Sequence, residues 1–136
     1  MNIVLDTNVI VSGLLSPFGA PAEIIQMVSS GIVRLCYDAR ILSEYRDVLR
    51  RPKFRFDETH VDPFLNQVKV DGYWVTAKPL AKRLPDPDDE PFLEVALAAK
   101  ARCLITGNPK DYPVPKREGV AVISPSKFLE KYRGQL

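Results

Sequence analysis

Residues 2–11 read NIVLDTNVIV, and this stretch decides the fold. The apolar residues at positions 3–5 are short and β-branched-rich, so they predict a strand that ends at Asp6. Thr7 and Asn8 suit a helix start, and the apolar pattern resumes directly after them. The stretch therefore predicts strand, turn and helix, with a carboxylate at the carboxyl end of the strand.

The same alternation of short apolar runs and helical periodicity continues along the chain. Further strands are predicted over residues 32–37, 73–76, 104–106 and 120–123, and further helices over 20–30, 39–50, 59–71, 90–100 and from Ser124 or Ser126 to 132. This order predicts an α/β fold, a three-layer α/β/α sandwich with a mostly parallel central sheet. The chain of 136 residues shows no repeat, which predicts one domain over residues 1–136.

Three residues within these helices carry specific expectations. Asp38 is expected to cap the helix over 39–50, and Pro91 is expected at the first helical position of the helix near 90. Pro63 makes the helix over 59–71 the least secure, because proline fits only in a first turn or at a break.

Composition bounds the class of protein. Hydrophobic residues make up 46% and charged residues 26% of the chain. No apolar run approaches the roughly 20 residues that span a bilayer, and the N-terminus lacks a basic region before its apolar stretch. We therefore expect a cytoplasmic protein without a membrane partner. Cys36 and Cys103 stand in apolar runs, which predicts buried, reduced thiols.

Polar oxygen groups follow the predicted strands. Asp6 ends the first strand, Asp89 begins a helix after a long loop, and Asn108 follows another strand beside Thr106. In an open α/β sheet, ligands bind outside the carboxyl ends of the strands, so we expect these side chains at one rim. Glu44 is a fourth candidate, because it borders the apolar stripe of its helix, where an unpaired acid is unfavourable.

Clustered carboxylates require a neutralising charge. The sequence offers no cysteine or histidine set, and His60, its one histidine, lies in a polar stretch and is expected to be exposed. Oxygen ligands favour Mg²⁺ or Mn²⁺, which bind phosphate and lower the pKa of a bound water. The pattern therefore favours phosphodiester hydrolysis.

Each of these residues also has a plain structural interpretation. Asp6 and Asp89 suit helix caps, Glu44 suits a solvated helix face, and Asn108 suits a turn. The formal charge of +2 includes basic segments around the acidic residues 86–90, which is equally compatible with an ordinary solvated surface. Only the joint placement of the four residues favours a metal site.

Four blocks in order then resemble the PIN-domain family, and within it the bacterial VapC-type toxins. The blocks are IVLDTNVIVSGLL, LSEYRDVLRRPKF, DPDDEPFLEVALAAKARCLITGN and ISPSKFLEKY, and the resemblance runs from residue 2 to about 132. It implies a Mg²⁺- or Mn²⁺-dependent endoribonuclease that is the toxin of a type II toxin–antitoxin system. It also implies an RNA substrate, a small antitoxin as partner and a homodimer.

The resemblance assigns roles to the acids by position. Asp6 and Glu44 match the first two acids, and Asp89 is the preferred third, with Glu90 as the alternative. Asn108 matches the fourth acidic position of many PIN domains, a departure that implies weaker binding of a second metal ion.

Other residues receive supporting roles from the same resemblance. Asn8 and Thr106 match polar residues that support the acids through hydrogen bonds. The basic residues Arg50, Arg51 and Lys53 are candidates for holding the RNA backbone, although they equally suit a structural basic face.

Three other functions are compatible with parts of the pattern. A catalytically weak PIN fold would bind RNA or an antitoxin without cleaving, and Asn108 is the feature that favours it. A phosphatase of the haloacid-dehalogenase type would need a second aspartate at position 8, where asparagine stands. A generic α/β binding module would leave Asp6 and Glu44 as incidental.

Overall fold

The fold is a five-stranded parallel sheet with helices on both faces, which confirms the predicted α/β/α sandwich. The computed structural model describes residues 1–135; Leu136, the last residue of the predicted domain, lies outside that range. The strands are β1 Asn2–Leu5, β2 Arg34–Tyr37, β3 Tyr73–Trp74, β4 Leu104–Ile105 and β5 Val122–Ile123. The α-helices are α1 Thr7–Leu15, α2 Ala20–Ser29, α3 Ala39–Leu49, α4 Glu58–Asp71, α5 Glu90–Ala99 and α6 Pro125–Tyr132.

The order of the strands places the first one at the centre. The order is β3-β2-β1-β4-β5, so β1 pairs with β2 on one side and with β4 on the other. The three apolar residues of β1, at positions 3–5, are fully buried. A parallel strand covered on both faces needs such an uninterrupted apolar run, which explains why this segment carries no polar alternation. The strand order thus puts Asp6 at the middle of the sheet's carboxyl rim.

Side-chain caps begin three of the helices. The Asp38 carboxylate accepts a hydrogen bond from the backbone N–H of Ile41, so the predicted cap of α3 is confirmed. Asp57 caps α4 and Ser124 caps α6 in the same way. Each of these side chains satisfies a backbone donor that the first turn of a helix leaves without a partner.

The structure corrects two expectations about proline. Pro63 lies at the sixth residue of α4, neither in its first turn nor at a break. The helix continues past it because four apolar residues of α4 are buried against the core, and this packing offsets the one backbone hydrogen bond that proline removes. Pro91 occupies the second helical position of α5, since the helix begins at Glu90.

Four of the five strands, all except β1, are also shorter than predicted. β3 and β5 stand at the two edges of the sheet, and each has two residues where the sequence predicted four. An edge strand has one neighbour, so pairing ends where that neighbour ends. The predictions for the cysteines and for His60 are confirmed: Cys36 and Cys103 are free and buried, and the histidine is exposed.

Membrane-spanning segments were sought among residues 1–135. No single helix there is long and apolar enough to cross a bilayer. The helices α1 and α2 pass that test of length and composition only when they are counted together, and they meet at an angle of 99°.

Candidate metal centre

Asp6 directly follows the last residue of β1, and two hydroxyl groups donate hydrogen bonds to its carboxylate. Its side chain is 6% exposed, and its Oδ2 accepts hydrogen bonds from Thr106 Oγ1 at 2.9 Å and from Tyr112 Oη at 3.0 Å. Asp6 stands at the N-cap position of α1, yet its side chain caps no backbone N–H there. The alternative interpretation, in which the Asp6 carboxylate caps the helix, is therefore not supported.

Burial raises the pKa of Asp6. The hydroxyls of Thr106 and Tyr112 and the nearby backbone of Thr7 lower that pKa without cancelling the effect of burial, and the charge of Asp111 raises it further. A buried carboxylate that is disfavoured in its charged form gains from a nearby cation.

Thr106 is the junction of a small hydrogen-bonding network. Its Oγ1 accepts from Asn8 Nδ2 at 3.4 Å and from the backbone N–H of Asn108 at 3.2 Å. These two donors leave the hydroxyl proton for Asp6. Asn8 also accepts from the backbone N–H of Gly107 at 2.9 Å, so it ties the first turn of α1 to the loop after β4. The structure thus links the predicted supporting residues to Asp6, Thr106 directly and Asn8 through it.

Glu44 reaches the same rim from the middle of α3. It is half-buried and accepts a hydrogen bond from the Thr7 hydroxyl. Burial raises the pKa of Glu44, Thr7 lowers it, and the charges of Asp6 and Asp88 raise it further. Glu44 is therefore only partly solvated, and no ion pair within residues 1–135 neutralises it.

Among the candidate acids, Asp89 is the one that neighbouring carboxylates repel most. It precedes α5 at the N-cap position, and its side chain caps nothing there. Its Oδ2 is buried and, among residues 1–135, is the one buried side-chain oxygen or nitrogen without a hydrogen-bond partner. Burial, followed by the charge of Asp6, raises the pKa of Asp89 to about 7. An oxygen buried without a partner is unfavourable unless something absent from the chain itself binds it.

Glu90 belongs to a different set of contacts from its neighbour Asp89. Its Oε2 accepts from the backbone N–H of Leu84 at 2.9 Å and from Arg83 Nε at 3.1 Å. The Leu84 N–H, together with Arg83, lowers the pKa of Glu90. The structure therefore places Glu90 as an anchor of the loop before α5.

Glu94, one turn further along α5, anchors the same loop. It pairs with Arg40 at 2.6 Å and accepts from the backbone N–H of Leu80 at 3.1 Å. Arg40 also pairs with the helix cap Asp38 at 2.8 Å. Every acid in this group has a cation or a backbone donor of the protein as its partner.

The loop after β4 places Asn108 differently from the prediction. Asn108 is exposed, and its Nδ2 donates to Asp111 Oδ1 at 2.9 Å. The charge of Asp111 raises the pKa of both Asp6 and Asp89. Asp111 is thus a further acid that acts on the site, besides Asp86 and Asp88, whose charges raise the pKa of Asp89 and of Glu44 respectively.

Two hydroxyl groups were also missed, those of Tyr112 and Thr7. Tyr112 is fully buried, and its hydroxyl finds its partner in Asp6. A buried tyrosine usually has a hydrogen-bond partner, so a tyrosine directly after the polar turn was the available signal. Thr7 gave no signal beyond its suitability for a helix start.

The three basic candidates lie just after α3, and in the described part of the chain none of them donates a hydrogen bond to a candidate metal ligand. Arg50 pairs with Asp62 at 3.2 Å. The charge of Arg51 lowers the pKa of Glu44, and Lys53 stands over the ring of Phe54 at 5.0 Å from its centroid.

The sequence pattern of the PIN domain matches residues 2–110. The chain belongs to the PIN-domain family. A search of curated proteins found no match. PIN domains are generally nucleases, and such nucleases generally use divalent metal ions.

In this PIN domain, the chemistry of the donor set suits Mg²⁺ or Mn²⁺. Asp6, Glu44 and Asp89 offer hard oxygen ligands, and Asp89 Oδ2 has no hydrogen-bond partner that a cation would have to replace. As the side chains stand, no three acids among residues 1–135 are close enough together to hold an ion. The charge of Asp6 nevertheless raises the pKa of Glu44 and of Asp89, and the charge of Glu44 also raises the pKa of Asp89, so a divalent cation would offset this repulsion.

Proposed function

We propose that this PIN domain is a Mg²⁺- or Mn²⁺-dependent endoribonuclease that hydrolyses RNA phosphodiester bonds. The observation that carries the proposal is the buried, unpartnered Asp89 Oδ2, which lies where the charges of Asp6 and Glu44 act on it. A protein that kept these three acids for structure alone would pair them, as it pairs Glu90 and Glu94. Their repulsion instead favours a cation.

The acids differ in the roles that their contacts support. Asp6 and Asp89 are proposed as direct ligands, and Glu44 as a ligand or as the base that orients the attacking water. When bound, the ion would supply an activated water and would stabilise the charge that develops on the phosphate. Thr106 and Tyr112 hold the Asp6 carboxylate in one orientation, which limits the rearrangement needed on binding.

Glu90 and Asn108 receive smaller roles in this proposal than the sequence suggested. Glu90 is the alternative third acid, but its carboxylate is engaged by Leu84 and Arg83. Asn108 positions Asp111 through its amide and so acts on the site indirectly.

A cleavage assay tests the proposal. RNA is incubated with the purified protein and Mg²⁺, Mn²⁺ or EDTA, and wild type is compared with Asp6→Asn. Asp47→Asn is the matched control, because Asp47 is an exposed acid on α3, the helix that carries Glu44. Cleavage that needs metal, is lost in Asp6→Asn and persists in Asp47→Asn supports the nuclease. RNA that stays intact with every metal overturns it.

One alternative function is also supported by a specific observation. A catalytically weak PIN fold would bind RNA or an antitoxin without cleaving it, and the absence of three closely gathered acids among residues 1–135 favours this reading. If the wild-type protein binds RNA without cleaving it, and Asp6→Asn binds RNA equally well, this alternative is supported.

The biological role is proposed as the toxin of a type II toxin–antitoxin system. Its support is the order of the four sequence blocks, and it requires a small antitoxin as partner and includes a homodimer. A small open reading frame beside the gene, whose product co-purifies with this chain and suppresses cleavage, is the expected result. Light scattering of the purified chain measures whether it is a dimer.

A further inference from the structure

Arg117 joins the two ends of the turn that follows β4. Its Nε donates to the backbone carbonyl of Tyr112 at 2.6 Å, and its Nη2 donates to the backbone carbonyl of Pro109 at 3.0 Å. The Pro109 carbonyl also accepts from the backbone N–H of Tyr112 at 3.1 Å. A guanidinium presents its donors in a rigid fork, and hydrogen bonds from a charged donor are stronger than neutral ones. The half-buried Arg117 side chain therefore fixes the backbone geometry of residues 109–112.

Tyr112 connects this turn to the metal centre. Its ring is fully buried, and its hydroxyl donates to Asp6 Oδ2 at 3.0 Å. Because the close-packed interior leaves a buried ring little freedom, the position of the Tyr112 hydroxyl depends on the position of its backbone. A shift of the Tyr112 backbone would therefore move the hydroxyl away from Asp6.

The Asp6 carboxylate needs this second hydrogen bond for a defined orientation. Thr106 and Tyr112 both donate to the same oxygen, Oδ2. One hydrogen bond would allow the carboxylate to turn about that contact, whereas two donors from different segments fix the direction of its other oxygen. Partners that orient a metal ligand in this way commonly control metal affinity.

We infer that Arg117 is a positioning residue for the metal centre: it holds the turn at residues 109–112 so that the Tyr112 hydroxyl keeps the Asp6 carboxylate oriented for the ion. The inference rests on the proposed function, because it concerns a ligand of that same site. Its two hydrogen bonds go to neutral backbone carbonyls, so Arg117 acts on Asp6 through Tyr112.

A purely structural role for Arg117 is the alternative, and Arg34 is the matched control for it. Arg34 Nε and Nη2 donate to the backbone carbonyls of Asp71 and Gly72, at 2.9 and 3.5 Å. The same two donor atoms thus hold the turn between α4 and β3. Arg34 is the first residue of β2 and so lies at the opposite end of the strands from the acids.

Two measurements on the full chain test the inference. Calorimetric titration with Mn²⁺, without RNA, gives the metal affinity of each protein. NMR of the metal-free protein with isotopically labelled tyrosine follows exchange of the Tyr112 hydroxyl proton with water, and Tyr112→Phe identifies its signal. The other variants are Arg117→Met, Arg117→Lys, Arg117→Met/Tyr112→Phe and the control Arg34→Met. Circular dichroism verifies the fold of each protein.

The expected results separate positioning from support of the loop. Tyr112→Phe weakens Mn²⁺ binding about tenfold, and Arg117→Met weakens it at least about threefold. The double variant binds about as weakly as Tyr112→Phe, and not about thirtyfold more weakly than wild type as independent effects would give. Arg117→Lys, whose single ammonium replaces the fork, lies between wild type and Arg117→Met.

The hydroxyl proton reports on the same contact without metal. Arg117→Met speeds its exchange severalfold, because the Tyr112 hydroxyl separates from Asp6 more often. Arg34→Met changes neither the exchange nor the Mn²⁺ affinity, although it loses the same kind of contact. If Arg117→Met does not fold, Arg117→Lys is compared with wild type in both measurements.

Three results would overturn the inference: an unchanged Mn²⁺ affinity in Arg117→Met, effects of Arg117→Met and Tyr112→Phe that multiply, or unchanged exchange of the hydroxyl proton. Equal losses of metal affinity in Arg117→Met and Arg34→Met would leave Arg117 with a structural role alone. A wild type that binds no divalent ion would overturn both this inference and the proposed function.

Other outcomes distinguish the two. A wild type that binds Mn²⁺ in the Arg117-dependent way but never cleaves RNA keeps the positioning role and rejects the nuclease. Metal-dependent cleavage by a wild type whose Mn²⁺ affinity does not change in Arg117→Met does the reverse.

Discussion

Two groups of acids near the carboxyl rim of the sheet are treated in opposite ways by the protein. The paired group, Asp38, Glu90 and Glu94, is neutralised by Arg40, Arg83 and backbone N–H groups. The unpaired group, Asp6, Glu44 and Asp89, forms no ion pair with a residue in the described range 1–135 and carries raised pKa values.

This difference shows that acidic residues next to each other in the sequence can have different roles. Asp89 and Glu90 are consecutive residues, yet their pKa values are shifted in opposite directions. The acids that hold the loop before α5 have hydrogen-bonding or ionic partners in the protein. The acids proposed to bind the metal have no cationic partner within residues 1–135. The following predictions test this contrast, from the largest effect to the smallest.

Loss of Asp6 should have the largest effect. Asp6→Asn keeps an acceptor for Thr106 and Tyr112 but removes the charge that the metal needs, so we expect metal-dependent cleavage to fall at least about 100-fold. Single-turnover cleavage measures the loss. Circular dichroism that shows an unchanged fold is the control, and retention of full cleavage would place the metal elsewhere.

Removing a partner from the paired group should lower the stability of the fold and leave metal binding unchanged. Arg40→Leu leaves the buried carboxylate of Glu94 without its cation, so we expect the free energy of unfolding to drop by ~2–3 kcal/mol. Urea denaturation measures it. The matched control is Arg133→Leu, which removes an exposed ion pair with Glu23 and should cost less than about 1 kcal/mol. Equal losses in both variants would contradict the contrast.

Neutralising a member of the unpaired group should instead stabilise the metal-free protein. The folded pKa of Asp89, about 7, lies above the ordinary value for an aspartate, so its charge opposes folding as pH rises from about 4 and does so fully above about 7. The carboxyl is partly open to solvent, so screening reduces the effect to ~1–2 kcal/mol. Asp89→Asn should therefore raise the free energy of unfolding at pH 8 in EDTA, with no gain at pH 3.

The smallest effect should come from Glu90 and have the opposite dependence on pH. Its folded pKa is lowered, so its contribution is present above the unfolded value of about 4.3 and is lost as pH falls through the folded pKa. Glu90→Gln should make the stability curve less steep below about pH 4. Urea denaturation from pH 2.5 to 6 measures this, and parallel curves for the two proteins would show that Glu90 is not held in its charged form.

Much of the fold follows from local pattern. The buried run at positions 3–5, the cap Asp38 and the alternation of strands with helices are properties that a sequence carries directly. The position of Pro63 inside α4 is not such a property, because the burial that tolerates it comes from the rest of the core.

The candidate site was predictable in its outline. The rule for parallel sheets placed Asp6, Asp89 and Asn108 at one rim, whereas Glu44 was a candidate because it borders the apolar stripe of its helix. The choice between Asp89 and Glu90 depends on where Leu84 and Arg83 lie after a long loop, which no local pattern encodes.

The loop after β4 shows the same limit. Whether position 108 or position 111 faces the acids depends on the turn itself, and the hydrogen bond from Asn108 to Asp111 became visible only in the structure.

The network around Asp6 has a consequence for synthesis of the chain on the ribosome. Its donors, Thr106 and Tyr112, lie 100 and 106 residues after it. The central strand β1 also lacks its neighbour β4 until residues 104–105 have emerged. A nascent chain that has already exposed all three acids therefore still lacks an oriented Asp6. We expect the proposed cleavage activity to be absent until nearly the whole domain has left the ribosome.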